Sequence, residues 1–202
     1  MIFIHDYSLD VTGGGDPLTE LLDEPVITEY KNERLDLEFT YRADGKHADK
    51  IEYFKILSCP CHKSEEELFY IHSIDRSMGG IQVLAKHITY LIDRVPVKGY
   101  KGRLTPWNAL TTMKQNMVES SPIGFYTTLP ADLQEVAVGD NETAHTILHD
   151  KFFPTYGGIS YRSGKDIGIT YERGGTTLYH LAKYKNIQDR SWVGDVDDVV
   201  TK

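Results

Sequence analysis

The sequence predicts a β-rich α+β protein: a small β-barrel over residues 1–100, then an α+β domain over residues 101–202 with two helices and a hairpin. Three observations carry this. The first hundred residues hold short stretches in which apolar and polar side chains alternate, the period of a half-buried strand. The 13 tyrosines suit strands with one wet face. Near residue 100 the apolar period lengthens to that of a helix.

In chain order, "DVTGGGDPLTELLD" (10–23) reads as a loop, with three glycines in a row and then Pro17. "RLDLEFTY" (34–41) places Leu35, Leu37, Phe39 and Tyr41 on one face and Asp36, Glu38 and Thr40 on the other. The chain then turns at Asp44-Gly45. "KIEYFKIL" (50–57), "ELFYIHSIDRS" (67–77) and "GIQVLAKHITYLI" (80–92) read as further strands, with Gly79-Gly80 turning the chain before the last of them. Short strands at regular spacing suggest a barrel or sandwich.

"KGYKGRL" (98–104) reads as a junction. Thr105 then serves as N-cap and Pro106 as first helical residue, with Trp107, Leu110, Met113 and Met117 forming an apolar stripe. Residues 120–138 cross as loop and short strand. A second helix over "NETAHTILHDKFF" (141–153) turns Ala144, Ile147, Leu148 and Phe152 inward and ends at Pro154 and Gly157-Gly158. "GGISYRSGKDIGITYERGG" (157–175) is a hairpin turning at "SGKD", and "KYKNIQDRSWVGDVDDVVTK" (183–202) holds one or two strands.

Composition excludes several function classes. A net charge of −8 gives no counterion-release energy on a phosphate backbone, so specific nucleic-acid binding is disfavoured. No apolar stretch approaches the roughly 20 residues of a membrane span, and the N-terminus lacks the basic start and apolar run of a signal peptide. Two cysteines do not make a disulfide scaffold, and two residues apart they are poorly placed to bridge each other. No internal repeat is present.

The candidate chemistry is thin. Cys59, Cys61 and His62 are three soft metal ligands in "CPCH", but C-x-C is tighter than a zinc knuckle and no second pair exists. A fourth ligand would have to come from a distant residue such as His47 or His72. The preferred reading is a polar turn at the barrel rim. His145 and His149 lie one helical turn apart in "HTILH", yet Thr146 stands where a zincin carries its glutamate, so these read as surface or interface histidines. G-x-S-x-G is absent. Asp197-Asp198 and the run Glu65-Glu66-Glu67 read as solvated faces, and "GGG" at 13–15 lacks the Lys-Ser/Thr of a phosphate loop. No catalytic, cofactor-binding or metal residue is assigned, and no cofactor is expected.

Several stretches together resemble the phage minor structural protein, or prophage tail endopeptidase, family: siphophage tail hubs that form the N-terminal region of tail-associated lysins. "LDLEFTYRADGKHADKI", with its turn Asp44, Gly45, Lys46, His47 and Ala48, is similar to that family's opening strand pair. "FYIHSIDRSMGGIQVLAKHITYLIDRV" resembles the next element, with the stretch Ala85 to Asp93 departing slightly in spacing. "RSGKDIGITYERGGT", "YKNI" and "DVDDVVTK" resemble the later part. The resemblance runs with gaps from about residue 26 to the end. "CPCH" is foreign to the pattern, and the chain stops at Lys202, where longer relatives continue into a further barrel and lytic or receptor-binding domains.

The resemblance implies a structural component of the virion at the tail tip. It implies a homotrimeric ring that extends and closes the tail tube and anchors distal domains. The partners implied are the distal tail protein, other tail-tip proteins and the tape measure protein. An acidic bore would keep passing DNA from sticking. The alternatives are the N-terminal part of a cell-wall-degrading tail endopeptidase, with any lytic activity in C-terminal domains, and a module binding host saccharide through exposed Tyr and Trp.

Overall fold

The computed structural model describes residues 1–8, 11, 14–30, 34–61 and 66–170. Seven strands make one antiparallel sheet: β1 (Ile2–His5), β2 (Asp16–Leu18), β3 (Val26–Tyr30), β4 (Arg34–Tyr41), β5 (Ile56–Cys59), β6 (Glu67–Ser77) and β7 (Gly80–His87). Their spatial order is β2-β1-β5-β6-β7-β4-β3.

The end strands β2 and β3 do not pair with each other, so the sheet is open and the expected closed barrel is corrected. The reason lies just after β2. The Leu22 amide donates to the Thr40 carbonyl and the Arg42 amide to the Glu20 carbonyl, so this segment crosses the end of β4. It makes only one bridge, Leu21 to Tyr41. The chain then doubles back as β3, which takes the remaining free side of β4 from Glu38 to Arg34. A continuous closing ladder has no room to form.

β4 matches the sequence expectation along its apolar face. Leu35, Leu37, Phe39 and Tyr41 are buried and Glu38 is exposed. Asp36 departs from it: this carboxylate lies on the outer face yet is buried. β6 also begins and ends as expected, with a bulge between Ile71 and Ser73 that adds His72 and bends the strand.

Other expectations are corrected. "DVTGGGDPLTELLD" contains β2, with Pro17 tolerated because the strand is an edge. β1 and β3 were not anticipated, since four or five residues show too few alternations. The strand in "KIEYFKIL" starts only at Ile56, after a turn that puts Phe54 at φ 65°. β7 stops at His87, and Ile88–Arg94 continue as a 3₁₀ helix.

Two apolar cores follow each other along the chain. One gathers side chains from Ile2 to Tyr90, the other from Ile92 to Ile169, and the 3₁₀ helix contributes to both. β8 (Pro96–Val97) pairs with β12 (Glu142–Thr143). "KGYKGRL" is no mere junction: it holds β9 (Tyr100–Leu104), paired with β11 (Gln134–Val138). Residues 120–138 therefore carry two strands, β10 (Gly124–Thr127) and β11.

Helix α1 (Pro106–Gln115) is capped as expected: Thr105 Oγ1 accepts from the Asn108 amide at 3.3 Å. Its buried stripe is Ala109, Leu110, Met113 and, just past the helix, Met117, each large member stabilising the fold by roughly 1.5–3 kcal/mol. Trp107 is corrected: it is 51% exposed. The second helix runs as α2 (Ala144–Thr146), a π-helical stretch Ile147–Phe152 and α3 (Phe153–Tyr156). Ala144, Ile147, Leu148 and Phe152 face inward as expected. Pro154 does not end it. The wider π turn comes just before the residue that lacks an N–H, and the helix continues to Gly157.

The hairpin of β13 (Ile159–Ser163) and β14 (Asp166–Thr170) turns at Gly164-Lys165, inside the expected "SGKD", and β10 adds in parallel to β14. The strands expected in residues 183–202 lie outside the described residues.

Candidate functional site

Cys59 ends β5 and is buried. Its Sγ lies 3.5 Å from the Pro60 carbonyl, and burial pushes its thiol pKa up, away from a reactive thiolate. Cys61 is half-buried, and neither cysteine forms a disulfide. His62 lies outside the described residues. Among the described residues, no group of three His, Cys, Asp or Glu is placed to hold a metal ion. No helix among them is long and apolar enough to cross a membrane.

His145 and His149 do come together, with ring centroids 4.3 Å apart. His145 Nδ1 is 3.6 Å from Asp93 Oδ2, and the His149 ring meets Phe153 edge-on. The pair occupies the outer side of the helix whose inner side is Ala144, Ile147 and Leu148.

A second polar constellation escaped the sequence reading. Glu67, read there as the end of a solvated acidic run, is wholly buried at the start of β6. The alternation of "ELFYIHSI" puts it on a face set by its neighbours across the sheet, and those are not visible locally. The hairpin and β7 bond it directly, and the 3₁₀ helix joins through β7. From the hairpin, Ser163 Oγ donates to Glu67 Oε1 at 2.8 Å and the Gly164 amide to Oε2 at 2.7 Å. From β7, His87 Nε2 lies 2.9 Å from Oε2. From the 3₁₀ helix, Thr89 Oγ1 lies 2.8 Å from His87 Nδ1 and accepts from Arg162 Nη1 at 2.9 Å. The Arg162 guanidinium sits 3.8 Å over the Tyr90 ring.

Each donor has an acceptor in one consistent order. Arg162 donates to Thr89, Thr89 to His87 Nδ1, and the His87 Nε2 proton goes to the carboxylate. Burial alone would raise the Glu67 pKa. The hydrogen bonds from His87, Ser163 and the Gly164 amide outweigh it and bring the carboxyl down to about 2. Tyr90 moves the other way, pushed up to about 12 by burial despite the nearby Arg162.

Thr89, His87 and Glu67 stand in the hydrogen-bonded order of a nucleophile, base and orienting acid. All three side chains are shut from solvent, and the Thr89 oxygen already accepts from Arg162. In this arrangement the relay presents no nucleophile to a substrate. What it does is join the first sheet to the hairpin through charge-assisted hydrogen bonds.

The exposed features are of another kind. β3 is the end strand of the large sheet and β9 pairs only with β11, so each has one side without a strand among the described residues. Val26 and Tyr30 on β3 are each 54% exposed. Tyr53 and Phe54 are exposed at the turn before β5, where the Phe54 ring stacks parallel to Tyr70 with centroids 6.3 Å apart. Met78 stands fully exposed at the tip of the β6–β7 hairpin.

No protein-family model matches the chain, and no curated protein matches it in sequence. Among solved structures it is similar to the prophage tail protein gp18 from Listeria monocytogenes EGD-e, with a TM-score of 0.68 at 14% identity. The similarity covers 84% of this chain and 50% of that one, so this chain spans about half the length of the protein it matches. The open β-rich sheet with its α+β continuation is therefore a fold shared with that prophage tail protein.

Proposed function

We propose that the chain is a structural component of a phage tail, working at the tail tip as a hub. In this reading copies of it, three to a ring, extend and close the tail tube and anchor distal lytic or receptor-binding domains. The observation that carries the reading is the fold shared with a prophage tail protein over most of the chain. Two features support it. Edge strands left without a partner are a liability in a lone molecule and are satisfied by neighbouring copies. The best-ordered polar constellation is sealed, as suits a joint rather than a reaction centre. The implied neighbours are the distal tail protein and the tape measure protein. Labelling purified virions with an antibody against this chain tests the reading: label at the tail end supports it, and virions that never carry the chain reject it.

A second reading is the N-terminal part of a tail endopeptidase that degrades the cell wall. It is favoured by the coverage of only half of the matched structure, which leaves room for further domains in such proteins. Peptidoglycan zymography of this chain beside any longer virion product that reacts with the same antibody separates the two. Lysis by the longer product alone supports the second reading for the whole protein, and lysis by this chain itself puts the activity in the fold described here.

A further inference from the structure

We propose that β3 of one copy pairs edge to edge with β9 of a second copy, in a contact held by opposite charge. The inference rests on the assembly reading above and names the contact that reading needs. The two ends of the large sheet are built differently. β2 has three residues, carries Pro17 in its middle, and runs on into a segment laid against β4. Such an edge resists further pairing. β3 has five residues, no proline, and exposed Val26 and Tyr30.

The surroundings of β3 are acidic: Asp23, Glu24, Glu29 and Glu38 are exposed there, against Arg34. β9 also has five residues and is basic on balance, with Lys101 and Arg103 exposed along it and Lys98 just before it, against the exposed Glu135 across from Arg103 on β11. The exposed Trp107 follows β9, the residue type most enriched among interface anchors. Copies of a chain with net charge −8 repel one another at a distance. A contact between them therefore gains most where strips of opposite sign meet, and β3 and β9 are such strips on strands of equal length. Because the two strands differ, the contact is head-to-tail, and a suitable rotation closes it into a ring.

The test is the mass of the full chain in solution, by sedimentation over a range of concentration and salt. The native chain is expected to self-associate, less so at high salt. Glu29→Lys is expected to weaken association about tenfold or more by setting like charges together. The triple variant Glu29→Lys, Lys101→Glu, Arg103→Glu is expected to recover it, with near-UV circular dichroism showing that both variants fold as the native chain does. Association untouched by Glu29→Lys, or not recovered in a folded triple variant, overturns the β3–β9 contact and leaves the assembly reading standing. A native chain that stays monomeric at every concentration, and is absent from virions, overturns both.

Discussion

Glu67 and His87 face each other from strands β6 and β7, Oε2 to Nε2 at 2.9 Å, and neither side chain reaches solvent. Glu67 also holds the tip of the β13–β14 hairpin through Ser163 and Gly164. Removing its carboxylate leaves three donors unpaired, on β7 and on the hairpin. Glu67→Ala is expected to cost about 3 kcal/mol or more, since each buried donor left unpaired costs roughly 1–3 kcal/mol. Urea unfolding measures it, and amide exchange is expected to show the loss first in Ser163 and Gly164.

The same carboxyl sets an acid limit. Its pKa is about 2 in the folded protein against an ordinary value of 4.5, so the unfolded chain binds the proton more readily. The stabilisation is complete above pH 4.5 and is lost as pH falls from there through 2, a change of roughly 3 kcal/mol. Glu67→Gln cannot ionise. Its unfolding free energy is expected to fall less steeply with acid than that of the native chain, as read from urea midpoints between these limits.

Asp36 makes the opposite case. It is buried, its Oδ1 finds no partner, and Arg34 reaches only the other oxygen, at 3.5 Å. Burial raises its pKa, against the pull of Arg34, Lys86 and His72. The folded form therefore holds its proton more tightly than the unfolded one, and the group costs stability once pH rises past the ordinary aspartate value. Asp36→Asn keeps the shape and removes the charge. It is expected to stabilise the protein by about 1 kcal/mol at neutral pH and to have little effect in acid, where Asp36 is already protonated.

Phe54 sits at φ 65°, a left-handed conformation that glycine adopts freely and a bulky residue does not. Its amide donates to the Ile71 carbonyl and the Ile71 amide to Lys55, which pins the turn. Phe54→Ala loses the stacking on Tyr70 and keeps the strain. Phe54→Gly loses the same contact and relieves the strain. The glycine variant is expected to be more stable than the alanine variant by about 1 kcal/mol in thermal unfolding, an ordering opposite to that in a regular strand.

The parts of the fold legible in the sequence are those whose signal is local. β4 shows its period over eight residues, β6 its apolar run before the Gly79-Gly80 turn, α1 announces itself by Thr105 and Pro106, and the hairpin by "SGKD". What was hidden depends on distant partners. β1 is a strand because β5 stands beside it, and β2 because β1 does. Trp107 matches the helical stripe, yet no element among the described residues covers it. Glu67 looks like the last of three surface glutamates until Ser163, 96 residues away, donates to it. The tail resemblance rested on the order of weak motifs, and the shared fold supports it at the level of a tail protein.

The role proposed for this chain at the end of a phage tail can be checked by a cryo-EM reconstruction of the intact tail tip. The expected map holds copies of the fold described here arranged around the tail axis in threefold symmetry, in contact with one another. A tail tip whose density is fully explained by other chains rejects the proposed role.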